Sequence, residues 1–276
     1  MNQERLKGLD LNLIEAVLTT AAMPDEQSYY DTWQSSLPAS VDLATLAFVG
    51  GMLADRMAWV FSAGYQVAMR REFSIRSNRW AAFCASEGAQ GRPGVTIETS
   101  SMGEHCLYGA KTWVAAASVI DDLIVMVGKS HSASFYQIPR DRAGLTIEIP
   151  AKDEFLPEMS KGVVLFDGLV LVDGDRLEAP MIKSFPLYEA GSILLAFTGL
   201  LYRHGLSEGL AVAKAYAVDM MQVDISDSLA ALNAFLTELE MIMLERADVV
   251  ANIEGWATDY RLVEMYSRLI KRKSRS

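Results

Sequence analysis

Apolar residues recur at three- and four-residue steps along the first part of the chain. Leu6, Leu9, Leu13, Ile14, Val17 and Leu18 make one stripe, the mark of an amphipathic helix, and Pro24 with the polar run Asp25-Glu26-Gln27-Ser28 ends it. A second helical stretch is predicted from Val41 to about Arg71, where Leu43, Leu46, Phe48, Leu53, Met57 and Val60 keep the same period and Asp42 stands near the start as a cap. Between Trp80 and Ser184 the period changes. Short β-rich runs occupy Val95 to Thr99, Lys111 to Ala115, Leu123 to Val127, Ser134 to Ile138, Leu145 to Ile149, Val163 to Phe166 and Leu169 to Val172, with glycines such as Gly109, Gly128 and Gly144 between or beside them. No crossover helices intervene, so an antiparallel barrel or sandwich is expected rather than a parallel sheet. Helical spacing returns in Leu187 to Met221, Ile225 to Val250 and Ala257 to Lys273, which predicts an antiparallel bundle. The expected fold class is α+β: N-terminal helices over 1–79, an antiparallel β middle domain over 80–184 and a C-terminal helical bundle over 185–276.

Composition narrows the function. With 276 residues, 51% of them hydrophobic, the chain can bury a sizeable core. Its formal charge of −10 repels phosphate backbones and argues against nucleic acid as a partner; the basic run Lys271, Arg272, Lys273, Arg275 reads as a solvated helix end. Glu4, Arg5, Lys7 and Asp10 stand where an export signal would need an apolar core, and the apolar stretches Leu43 to Phe61 and Ala190 to Tyr202 are interrupted or too short to span a bilayer. Cys84 and Cys106 have no paired spacing, which suits reduced thiols and a cytoplasmic location.

Little familiar chemistry is present. His105, His131 and His204 lack the spacing that places two metal ligands on one helix face, so no metal site is expected, and neither a Gly-x-Ser-x-Gly elbow nor a Walker loop occurs. The glycine-rich segment Ser86-Glu87-Gly88-Ala89-Gln90-Gly91-Arg92-Pro93-Gly94 is more specific, although taken alone it reads as a surface turn. It leads into a strand, then Gly109-Ala110-Lys111-Thr112-Trp113-Val114, then Asp121-Asp122 before another apolar strand.

In order and spacing this series resembles the middle domain of the acyl-CoA dehydrogenase family, whose motifs are Thr-Glu-Pro with a Gly-Ser-Asp loop, Gly-x-Lys-x-Trp-Ile, and Ala-Asp before a strand. Ser86, Glu87 and Gly91 match the first, Gly109, Lys111, Trp113 and Val114 the second, and Asp122 the third. Pro139 to Leu145 is similar to the family's Pro-Gly-Val turn, Val164 to Val172 to its Phe-Asp-x-Val-x-Val strands, and Leu187 to Tyr216 to the first helix of its bundle, so the resemblance covers about the last four-fifths of the chain. It implies FAD, with Ser86 supplying a hydroxyl, Gly91 the loop amides and Trp113 a ring face over the flavin, and an acyl-CoA or related thioester as substrate. A Trp in a β strand is equally an ordinary core residue. The family's catalytic Glu, in Tyr-Glu-Gly-Thr, is echoed by Glu254 in Ile253-Glu254-Gly255-Trp256, a stretch that also reads as a polar turn between helices.

Several cofactor-facing positions depart from the family pattern. The loop reads Gly91-Arg92-Pro93, the hydroxyl expected after the Trp is Ala115, and the Arg and Gly of Tyr-Ala-x-x-Arg-x-x-Phe-Gly are Met220 and Asp224. The expectation is therefore weak or absent FAD. Two functions stay open: an acyl-CoA dehydrogenase-like oxidoreductase with Glu254 as base, or a non-catalytic binding or assembly subunit that acts beside a complete homologue; a third, a flavin-dependent monooxygenase on the same fold, has no residue here to favour it. Self-association through the C-terminal helices is expected, because Leu187 to Met221 is apolar around much of its circumference.

Overall fold

A computed structural model describes residues 9–19, 21–75, 78–129, 132–151, 154–178, 182–220 and 225–275, without the side chains of residues 90, 218–220 and 225–228. Leu6, His131 and Asp224 lie outside the described residues, as does the side chain of Met220.

The N-terminal region contains α1 (Leu11–Val17), α2 (Glu26–Ser36), α3 (Leu43–Leu53) and α4 (Met57–Phe73). Each of the first three starts on an aspartate whose carboxylate accepts backbone N–H groups: Asp10 from Asn12 and Leu13, Asp25 from Ser28, Asp42 from Thr45. The run Asp25 to Ser28 therefore opens a helix as well as closing the previous segment, and α2 buries Tyr29 and Trp33. The helix expected over 41–71 is two helices. Ala54 and Arg56 are extended, and Asp55 leaves the helical ladder to accept a hydrogen bond from the Met23 amide at 2.9 Å.

The β region forms two four-stranded sheets. One has the order β1 (Ala81–Cys84), β4 (Asp122–Val127), β5 (Ser134–Pro139), β8 (Arg176–Leu177); the other β2 (Thr96–Thr99), β3 (His105–Ala115), β7 (Lys161–Val170), β6 (Leu145–Glu148). The wholly antiparallel expectation needs one correction, since β1 and β4 pair in parallel. Their connection runs through β2 and β3 of the other sheet, so the chain satisfies the long-crossover requirement of a parallel pair without a helix. The run Val163 to Phe166 and the start of the run Leu169 to Val172 belong to a single strand, β7, which ends at Val170 and has Gly168 at φ +69 opposite a register shift in β3. Cys84 and Cys106 are both buried, unbonded and in different sheets.

The C-terminal region contains α5 (Phe185–Arg203), α6 (Ser207–Met220), α7 (Ile225–Glu245), α8 (Ala247–Val250), α9 (Trp256–Asp259) and α10 (Arg261–Lys273). The helix expected from Leu187 to Met221 breaks at His204-Gly205-Leu206, where Gly205 takes φ +87. Among the described residues α5 alone is long and apolar enough to cross a membrane, and 83% of that window is buried within the chain. It packs against α3, α4, α6, α7 and α10, so its apolar circumference is covered internally. Backbones come close there: a Cβ at Gly51 would lie 1.7 Å from the Ala196 carbonyl oxygen, and one at Gly199 2.0 Å from that of Phe48.

Candidate functional site

The glycine-rich loop lies along β3 and is fastened to it. The Ala110 and Thr112 amides donate to the Pro93 and Ser86 carbonyls at 3.0 and 2.8 Å. Gly109 makes this approach possible, because at φ +108 any Cβ would sit 2.3 Å from the Gly94 carbonyl oxygen. Lys111 is fully buried, and its ammonium donates to Glu87 Oε1 at 2.5 Å and to the Ala85 carbonyl at 3.3 Å. Glu87 also accepts from the Val95 amide at 3.1 Å. Burial would raise the Glu87 carboxyl, but the hydrogen bonds from Lys111 and Val95 outweigh it and hold the group below its usual range. Burial pushes the nearby Cys84 thiol up to about 12 against the pull of Lys111, so it is no nucleophile. In the loop itself, Arg92 is committed to Glu148 at 2.6 Å.

Trp113, further along β3, is half-buried. Phe61 and Tyr65 of α4 are stacked on each other at 5.4 Å, and both meet Trp113 at nearly right angles with centroids 6.3 and 6.2 Å away. Tyr65 is fixed in turn: its hydroxyl accepts from the Phe83 amide at 2.7 Å and its ring meets Phe185. Ser86 and Gly91, both exposed, and Trp113 are thus gathered on one strand and its covering loop.

Glu254 is placed elsewhere, in the turn between α8 and α9, followed by Gly255 at φ +74. Its side chain is 65% exposed and both carboxylate oxygens face Arg56 at 3.3 Å. The same guanidinium, almost buried, pairs with Asp55 at 2.9 Å and Glu158 at 3.6 Å. Arg56 immediately precedes α4, so Phe61 and Tyr65 lie roughly 7 to 14 Å further along that helix axis. The loop, Trp113 and Glu254 are therefore linked through α4 and not by direct contact. Among the described residues no group of acidic, histidine or cysteine side chains is arranged to hold a metal.

A further titratable cluster escaped the sequence reading. Glu189 on α5 is hydrogen-bonded by the Tyr266 hydroxyl of α10, with Tyr65 nearby. Burial lifts the Glu189 carboxyl to about 7, only partly opposed by that hydrogen bond. Its one signal in the sequence is a lone carboxylate within an otherwise apolar helix.

No protein-family model matches the sequence, and no curated protein matches it. Among solved structures it is similar to an FAD-dependent dehydrogenase (TM-score 0.61, 12% identity, covering 98% of this chain and 92% of the other). It is similar too to the prolyl acyl carrier protein oxidase AnaB (0.61, 13%, 98% and 94%) and to butyryl-CoA dehydrogenase from Megasphaera elsdenii (0.61, 11%, 95% and 91%). The chain has the fold of the acyl-CoA dehydrogenase-like flavoproteins. The Ser86 carbonyl is bonded into β3, Arg92 is tied to Glu148, Pro93 offers no amide, and Trp113 is built into an aromatic wall with α4.

Proposed function

We propose that this chain is an acyl-CoA dehydrogenase-like protein that has given up flavin-dependent oxidation and serves as a cytoplasmic binding or assembly subunit, beside itself or a complete homologue. The observation that supports this reading is the loss of flavin-facing groups in the loop and on the strand behind it: Pro93 has no amide, Arg92 is paired with Glu148, and Ala115 has no hydroxyl. Glu254 in this reading is a surface-turn residue whose partner is Arg56, and no proton-transfer step is assigned to it.

The test is the visible absorbance of the purified protein, followed by titration with FAD. The expected result is a colourless protein that quenches added flavin fluorescence only at concentrations about three orders of magnitude or more above those of a tight flavoprotein, from the summed loss of several hydrogen bonds. A yellow protein with near-stoichiometric FAD, turning over an acyl-CoA with an artificial electron acceptor and losing that turnover on Glu254→Gln, would restore the oxidoreductase reading.

A further inference from the structure

An open cavity of about 700 Å³ lies between the exposed side of α10, the N-terminal part of α5 and Phe155 in the segment leading to β7. It shares no lining residue with Trp113, the loop at Ser86 or Glu254. Phe155, Met265, Tyr266 and Leu269 make most of its wall apolar. Three arginines, Arg261, Arg268 and Arg272, stand around it in a protein whose net charge is −10. Arg261 lies over the Phe155 ring at 4.6 Å, which fixes that wall, and Arg268 pairs with Glu264 at 3.2 Å, one helical turn away. Arg272 has no ion-pair partner among the described residues. Glu189 forms the α5 side, held by Tyr266.

Cationic heads on an apolar wall favour a ligand with the complementary division. An anion gains from these guanidinium groups, and an apolar body covers rings and aliphatic side chains on the cavity wall. We propose that this cavity binds a small anionic amphiphile, an apolar chain or ring ending in a carboxylate or phosphate, with the anion on Arg268 and Arg272 and the apolar part over Phe155, Leu269 and Tyr266. Glu189 adds a consequence. The groups that face it are Tyr266 from α10 and Tyr65 from α4, with Arg261, Glu264, Arg268 and Arg272 around the cavity. An anion and an apolar body placed there both penalise the Glu189 carboxylate, so binding draws a proton onto it.

The experiment is isothermal titration of the full chain with decanoate and with decyl phosphate, each below its micelle concentration. Binding of either at about 100 μM or tighter is expected, and which of the two binds more strongly identifies the head group. The double variant Arg268→Gln/Arg272→Gln should weaken binding roughly tenfold or more, while circular dichroism and the melting temperature stay unchanged because both side chains are exposed. Raising the pH from 6 to 8 should weaken wild-type binding of decanoate, whose own charge is constant in that range, about tenfold, and Glu189→Gln should remove that dependence. Failure of both amphiphiles to bind at millimolar concentration, or binding indifferent to the loss of the two arginines, overturns the proposal. Its outcome is independent of whether the protein binds FAD.

Discussion

Single residues here are governed by whether water can reach a charge once its partner is gone. Lys111 is fully buried, whereas the Glu87 side chain keeps 31% of its surface exposed. Removing the carboxylate strands an ammonium with one carbonyl for company; removing the ammonium leaves a carboxylate that water can hydrate. Glu87→Ala should therefore cost on the order of 3 kcal/mol and Lys111→Met clearly less, a ranking that urea unfolding would read. Glu189 gives a pH dependence with a definite sign. Its folded pKa of about 7 lies above the ordinary 4.5, so the folded state holds an extra proton between those values and stability falls as pH rises through that window. Glu189→Gln should leave the melting temperature nearly unchanged below pH 4.5 and raise it above pH 7, by the equivalent of about 2–3 kcal/mol. An unchanged difference across pH would place the titration elsewhere.

At the scale of elements, the contact among α3, α4 and α5 decides most of the architecture. Gly51 and Gly199 let α3 and α5 meet backbone to backbone, and Gly64 does the same for α4 against Ile193 of α5. Gly199→Ala should cost about 3 kcal/mol or more, since the neighbour it meets is backbone and cannot rotate away; denaturant titration measures it. The hydrophobic period made these helices legible, because an apolar stripe needs a partner. It did not show where they stop. The stripe runs through Ala54-Asp55-Arg56 without a break, yet there Asp55 takes the Met23 amide and Arg56 reaches Glu254, both far away in sequence. β1 and β8 were missed for a related reason: each is short, and each is held by pairing with a strand distant in sequence.

For the whole molecule, the apolar circumference of α5 no longer argues for association, because five other helices cover it. Of the exposed apolar side chains in the bundle, Met265 lines the α10 cavity, and Leu244 and Met241, 80% and 55% exposed, stand on α7 with Tyr260 at 38% near Leu244. Self-association is expected through that face: sedimentation should report a dimer or larger species that Met241→Glu/Leu244→Glu reduces to monomer. The sequence by itself determined the succession of helices, β region and helices, the motifs at Ser86, Gly91, Lys111 and Trp113, and the fold they imply, since periodicity and turn chemistry are local properties of the chain. Only the tertiary structure decided what those motif residues touch. Lys111 is buried against Glu87, which folds back over β3, and Trp113 meets Phe61 and Tyr65 because α4 delivers them to it. Glu254 is an exposed partner of Arg56, and Glu189, one carboxylate among many in the sequence, is singled out by burial against Tyr266. A side chain's charge state and its partners depend on groups that the fold brings from far along the chain, and hydrophobic spacing carries no record of them.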